Sequence, residues 1–224
     1  PAVVAEGRRI LGNIERVSVL FLTKSFYSAV LSLLVVFVTL TSIFEVEFVF
    51  LPRHLTVITW LTIGIPAFVL ALMPNKQRFR PGFFQRVLSF AVPAGLVCGV
   101  TSFASYFVAL KRGLPLEAAR TSAAITLFIV SMTVLVLVAR PLNGIRLGLV
   151  LAMALGFVAV LYVPFLASFF ALRIDDDAKT SIAVILGVVG GLLLVFGSRW
   201  NDVRLSRHGI EPARVPDDAS EVAA

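Results

Sequence analysis

The sequence is short of nearly everything a soluble enzyme uses. Only 15% of its 224 residues are Asp, Glu, Lys or Arg, against 58% hydrophobic, and a mean hydropathy of +0.96 excludes an ordinary soluble domain. Its one cysteine, Cys98, excludes an intrachain disulfide and a cysteine metal cluster, and packing is its expected role. The two histidines, His54 and His208, sit in separate segments without ligand spacing. A Gly-rich phosphate loop, an Asp-Lys-Thr-Gly phosphorylation motif, and a Ser/His/Asp or paired-carboxylate arrangement in the apolar runs are all missing. No soluble catalytic site can be assembled without them. The leading segment is polar, and the first apolar run is too long for the core of a signal peptide. The chain also begins at Pro1 without a methionine, so a piece of something larger is expected.

What the sequence has is apolar length. Six runs are long enough to cross a bilayer core: about Val17 to Phe44, Leu55 to Met73, Val87 to Leu110, Thr121 to Ala139, Leu147 to Val163, and Thr180 to Gly197. Apart from Lys24 in the first, they hold no Asp, Glu, Lys, Arg or His. The expected fold class is all-α, a polytopic transmembrane helical bundle of six spans. Residues 1–16 read as a cytoplasmic stalk, 17–197 as a six-helix transmembrane domain, and 198–224 as a polar cytoplasmic tail that extends or disorders. Stalk and first span form one helical pattern of about 40 residues, with Gly7 and Gly12 as its soft points.

Charge sets the expected orientation. Thirteen basic residues fall in the N-terminal segment, the second and fourth loops and the tail, and six in the alternate loops, which puts both termini in the cytoplasm. The net charge of +7 is accounted for by that topology and by attraction to anionic headgroups. Nucleic acid is not an expected partner, because no basic surface carries interleaved aromatics. Glu45, Glu47 and Asp175 to Asp177 fall on the outer side, where a solvated loop is the expected reading.

Two spans carry the polar groups that solute handling inside a membrane would need. In the first, Lys24, Ser25, Ser28 and Ser32 recur at helical spacing; in the second, Thr56, Thr59, Thr62 and Pro66 do the same. Pro66 has no N–H for the carbonyl of Thr62, and Gly64 lets the chain unwind there, so Thr62 would offer a carbonyl and a hydroxyl at one level. Such a break is tolerated in a bilayer where it lines a cavity or binds an ion. A packed Pro-kink is the competing reading, and it is the one expected for Pro93. Lys24 either snorkels to the interface or faces the site as a fixed cation. Gly95 with Gly99, and the run at Gly187, are expected helix-packing faces.

"EGRRILGNIERV" before a long span, and "LTIGIPAFVLALMPN" in the next, resemble the C-terminal membrane half of bacterial cation-transporting P-type ATPases. The branch called cation-transporting ATPase E, associated with calcium uptake, looks nearest. The matching motifs are Gly7-Arg8, Asn13-Ile14, and Thr62 with Gly64 and Pro66. The resemblance implies helices five to ten of such a pump, with a transported divalent cation, calcium favoured. Its path would run past Thr59, Thr62, Gly64, Pro66, Lys24, Ser25 and Ser28, with Thr59 and Thr62 as metal ligands. ATP and Mg²⁺ would be bound in domains that precede Pro1, with helices one to four, and the setting would be the plasma membrane. In animal calcium pumps the positions matching Ile63 and one near Ala29 are acidic, and relatives in this branch often have Glu at Met73. Charge neutralisation would then fall to a carboxylate outside these spans. The alternative is a complete, non-enzymatic six-span facilitator or scaffold.

Overall fold

Nothing between Ala2 and Leu40 removes a backbone donor, and the first proline after Pro1 is Pro52. The computed structural model accordingly shows α1, Ala2–Leu40, as one unbroken helix. The structure describes residues 2–41, 47–73, 82–172 and 177–207. Glu45, Asp175, Asp176, the loop cations Lys76, Arg78, Arg80 and Arg173, His208 and the tail beyond Arg207 lie outside the described residues, as do the side chains of Asp177 and Lys179.

Prolines and glycines punctuate the rest of the chain. Pro52 opens α2, Pro52–Thr59, where its missing N–H costs nothing. A π-helical turn, Trp60–Gly64, joins α2 to α3, Ile65–Leu72. Left-handed Gly82 precedes α4, Phe83–Lys111, and left-handed Gly113 turns the chain toward α5, Leu116–Val138. Asn143 caps α6, Gly144–Tyr162, by accepting from the Arg146 amide at 3.0 Å. A short α7, Pro164–Phe170, and then α8, Asp177–Arg207, complete the fold. The described residues form no strand. Six helices, with α2 to α3 counted as one, are long and apolar enough to span a membrane, in agreement with the six runs.

The bundle is built around α5. Its span is 78% buried, against at most 44% for any other. α4 and α8 pack on it, α1 packs along α4, and α6 joins at the edge, where Phe157 stacks on Phe128 with centroids 3.8 Å apart. Leu33, Phe37, Phe68, Leu155 and Phe196 are all exposed, as lipid-facing side chains would be.

The glycines act as expected. A Cβ on Gly95 would fall 2.3 Å from the Cβ of Phe26, and one on Gly99 would fall 2.7 Å from Val30. Each partner lies 69 residues earlier, and Glu15 meets Arg86 at an offset of 71, so α1 and α4 run parallel in constant register. Gly187, Gly190 and Gly191 seat α8 against Ile129, Val130 and Thr133 in the same way. Pro93 faces outward and leaves α4 continuous.

Two expectations change. The segment from Ser198 is helical as far as Arg207, because the first proline beyond it is Pro212. Leu205 there is buried, and the Asn201 amide donates to Ser89 Oγ at 3.2 Å, so this stretch packs against α4. The polar stripe expected on α1 is likewise not one surface: Ser25 and Ser32 are exposed, while Lys24 and Ser28 are half-buried. A 100° step per residue carries neighbouring positions onto different faces.

Candidate cation site

The second span answers the donor missing at Pro66 by widening rather than unwinding. The Ile65 amide donates to the Trp60 carbonyl, five residues back, and Gly64 keeps right-handed helical angles, with φ −58 and ψ −63. The unwinding expected around Gly64 therefore does not occur. Because a π turn inserts one residue, the buried stripe slips by one position. It runs through His54, Val57 and Ile58 before the turn and through Ile63, Pro66, Ala67 and Leu70 after it. Thr56 ends on an exposed face, and Gly64 is exposed too.

The two threonines expected as ligands stand differently. Thr62 is buried and its hydroxyl donates to the Ile58 carbonyl at 2.8 Å, so only its lone pairs remain available. The Thr59 hydroxyl is also buried, but it makes no hydrogen bond among the described residues. It lies beside the phenol of Tyr27 on α1, and neither hydroxyl makes a hydrogen bond of good distance and angle among the described residues. Within electrostatic reach of that phenol is the Cys98 thiol of α4, and the unpartnered Ser131 hydroxyl of α5 stands next to the thiol. Three elements, α1, α2 and α5, thus bring into an apolar bundle three hydroxyls that no group among the described residues satisfies, and α4 adds a thiol. Unmet hydrogen-bonding capacity of that kind is expensive in a low-dielectric interior.

Tyr27 and Ser131 escaped the reading of the sequence. A signal existed for Tyr27: Asn13, Leu20 and Tyr27 repeat every seven residues, all are buried, and they mark the inward face of α1. Ser131 had none, since α5 is buried almost all round. Of the α1 residues expected on the path, Ser25 donates back to the Phe21 carbonyl at 3.2 Å on an exposed face, and Lys24 and Ser28 are half-buried. The arrangement offers neutral oxygen ligands and no carboxylate. Among the described residues, no three His, Cys, Asp or Glu side chains converge as a metal site.

Both ends of the bundle are tied by polar contacts. Where α3 ends, the buried Asn13 side-chain amide donates to the carbonyls of Ala71 at 2.8 Å and Met73 at 3.0 Å. Two residues further along α1, Glu15 pairs with Arg86 of α4 through two bonds of 2.9 and 3.0 Å. At the opposite end, Arg120 pairs with Glu47 at 3.1 Å, and the Tyr106 hydroxyl donates to the Glu47 carbonyl. There the buried His54 ring accepts from the Leu51 amide and meets the Ala171 carbonyl at 3.1 Å, closing α7 onto α2.

No protein-family model matches the chain. Individual proteins do. It is 46% identical over 198 residues to "Calcium-transporting ATPase CtpE" of Mycobacterium bovis and of Mycobacterium tuberculosis, an alignment that takes in 85% of this chain. The relatives are cation-transporting ATPases. The corresponding protein of Mycolicibacterium smegmatis is 44% identical over 87% of the chain. "Probable cation-transporting ATPase exp7" of Streptococcus pneumoniae is 30% identical over 43%. The chain spans about a quarter of the length of the CtpE proteins it matches. The likeness expected from the motifs is therefore found, and with it a similarity to part of a cation-transporting ATPase.

Proposed function

We propose that this chain is the membrane transport portion of an ATP-driven P-type cation pump, with a divalent cation, calcium favoured, as its substrate. The observation that carries this is the 46% identity over 85% of the chain to calcium-transporting ATPases, of which the alignment takes in 25%. The remaining helices and the nucleotide-binding, phosphorylation and actuator domains would lie outside the chain. ATP and Mg²⁺ would be bound there, since this sequence offers neither a phosphate-binding loop nor a phosphorylatable Asp-Lys-Thr-Gly. The setting is the plasma membrane, with both termini in the cytoplasm.

In this reading the cation passes the level of the π turn. Thr59 and Tyr27 hydroxyls are its primary oxygen ligands here, Ser131 approaches from α5, and Thr62 adds the lone pairs that its own hydrogen bond leaves free. A hard divalent ion prefers oxygen ligands that include carboxylate, and the spans hold none. A carboxylate on a helix outside this chain would complete the charge balance.

The test is calcium uptake and calcium-stimulated ATP hydrolysis by the full-length protein in proteoliposomes. Stimulation by micromolar calcium is expected. Turnover that calcium, magnesium and manganese all leave unchanged would overturn the reading. The six-helix chain alone should form no phosphoenzyme with labelled ATP.

A further inference from the structure

The second span touches α1 at two separated levels. Thr59 meets Tyr27 near mid-bundle, and the carbonyls of Ala71 and Met73 meet Asn13 at the end where α1 runs on beyond the other helices. Moving 14 residues along α1, from Asn13 to Tyr27, moves 12 to 14 residues back along the second span, which is the register of two antiparallel helices. The π turn, Trp60–Gly64, lies between the two attachments.

The bonds at Asn13 differ in kind from those around them. The last carbonyls of a helix have no intrahelical donor, and here one buried amide supplies both of its hydrogens to two of them. The same stretch of α1 holds α4 through the Glu15–Arg86 pair, and α4 holds α8 through Ser89 and Asn201. α4 is additionally seated against α1 by Gly95 and Gly99, whereas α3 holds no glycine. The α1–α4 contact therefore behaves as one body. The α1–α3 contact carries the two Asn13 bonds just beyond a turn whose hydrogen-bond ladder is already irregular.

We propose that Asn13 is a positioning residue that couples the projecting half of α1 to the second span, so that displacement of α1 shifts α3 and, through the π turn, the Thr59–Tyr27 contact. This rests on the pump reading, because it assigns the joint a part in moving the cation. A motion of α1 that left α3 behind would separate Thr59 from Tyr27 without opening the site in a controlled way.

Asn13→Asp tests the joint: it keeps the shape, removes both donors and sets a carboxylate against two carbonyls. Asn13→Gln keeps the donors on a longer arm. In the six-helix chain, with Cys98→Ala as background, nitroxide labels at Gly7→Cys and Phe68→Cys should give a narrow distance distribution that broadens in Asn13→Asp and narrows again in Asn13→Gln. The pair Gly7→Cys and Leu96→Cys, across α1 and α4, should not change. An unbroadened Gly7–Phe68 distribution overturns the proposal, whatever the pump does. In the full-length protein, the number of cations moved per ATP should fall about fivefold in Asn13→Asp. A variant that loses thermal stability but keeps that ratio shows Asn13 to be a helix cap only, and also overturns the proposal. Failure of the pump reading is recognised separately, as a wild-type protein with no cation-stimulated ATP turnover.

Discussion

At the scale of single residues, Thr59 and Thr62 are three positions apart and yet make opposite predictions. Thr62→Val loses the bond to the Ile58 carbonyl and should lower the stability of the six-helix chain by about 1 kcal/mol. Thr59→Val removes a buried hydroxyl that no group among the described residues satisfies, at nearly constant volume, and should raise stability by ~1 kcal/mol. Denaturant unfolding in detergent compares the two, and the reverse order would show that the Thr59 hydroxyl is satisfied. In the pump both changes should weaken the apparent cation affinity, Thr59→Val more than Thr62→Val, which makes Thr59 a site where stability is given up for binding. Lys24 is half-buried on α1, as a stem packed along the helix with its ammonium reaching for the interface would be. Lys24→Met should therefore leave the cation dependence of ATP turnover nearly superimposable on wild type, with its stem replaced by a side chain of similar length. A clear displacement of that curve would assign its ammonium to the cation path.

At the scale of elements, helix packing depends on what a methyl group would strike. Gly95→Ala drives a Cβ into the Cβ of Phe26 and to 3.0 Å from the Tyr27 amide, where neither neighbour can rotate away. It should cost about 1–3 kcal/mol in thermal unfolding and displace Tyr27. Gly191→Ala meets the Thr133 hydroxyl at 2.8 Å, a group that a change of rotamer can remove, so the cost should be smaller. Gly7→Ala meets nothing within 4 Å and should be neutral or stabilising, through helix propensity. Equal unfolding midpoints for the Gly95 and Gly7 variants would contradict this ranking. The π turn belongs to the same scale. Pro66 announces a defect in the ladder, but whether the helix unwinds, kinks or widens depends on the packing of the residues around it. Here the hydrophobic stripe could stay buried only by slipping one position.

At the scale of the whole molecule, the basic residues predict that both ends of the chain face the same side of the membrane. Epitope tags placed before Pro1 and after Ala224 should be protected together or exposed together in sealed vesicles of one orientation; opposite accessibility would require an odd number of crossings. The six spans, their approximate limits and the packing role of the small residues were legible in the sequence, because a bilayer constrains composition position by position: each crossing needs enough apolar length and no unpaired charge, and close helix contacts favour small residues. Thr59 and Thr62 were legible as polar groups near a broken ladder. Their difference was not, since it rests on which hydroxyl finds a carbonyl after the helix widens. Tyr27, Cys98 and Ser131 look in sequence like ordinary members of apolar runs, and the chain of neighbours from Thr59 to Tyr27 to Cys98 to Ser131 exists only once α1, α4 and α5 are packed together. The sequence alone determined that the chain crosses a membrane six times, because hydropathy is a sum over neighbouring residues. Only the tertiary structure decided where the unsatisfied hydroxyls meet and that Asn13 fastens α3 to α1, because those contacts join residues up to 71 positions apart and depend on helix rotation and register.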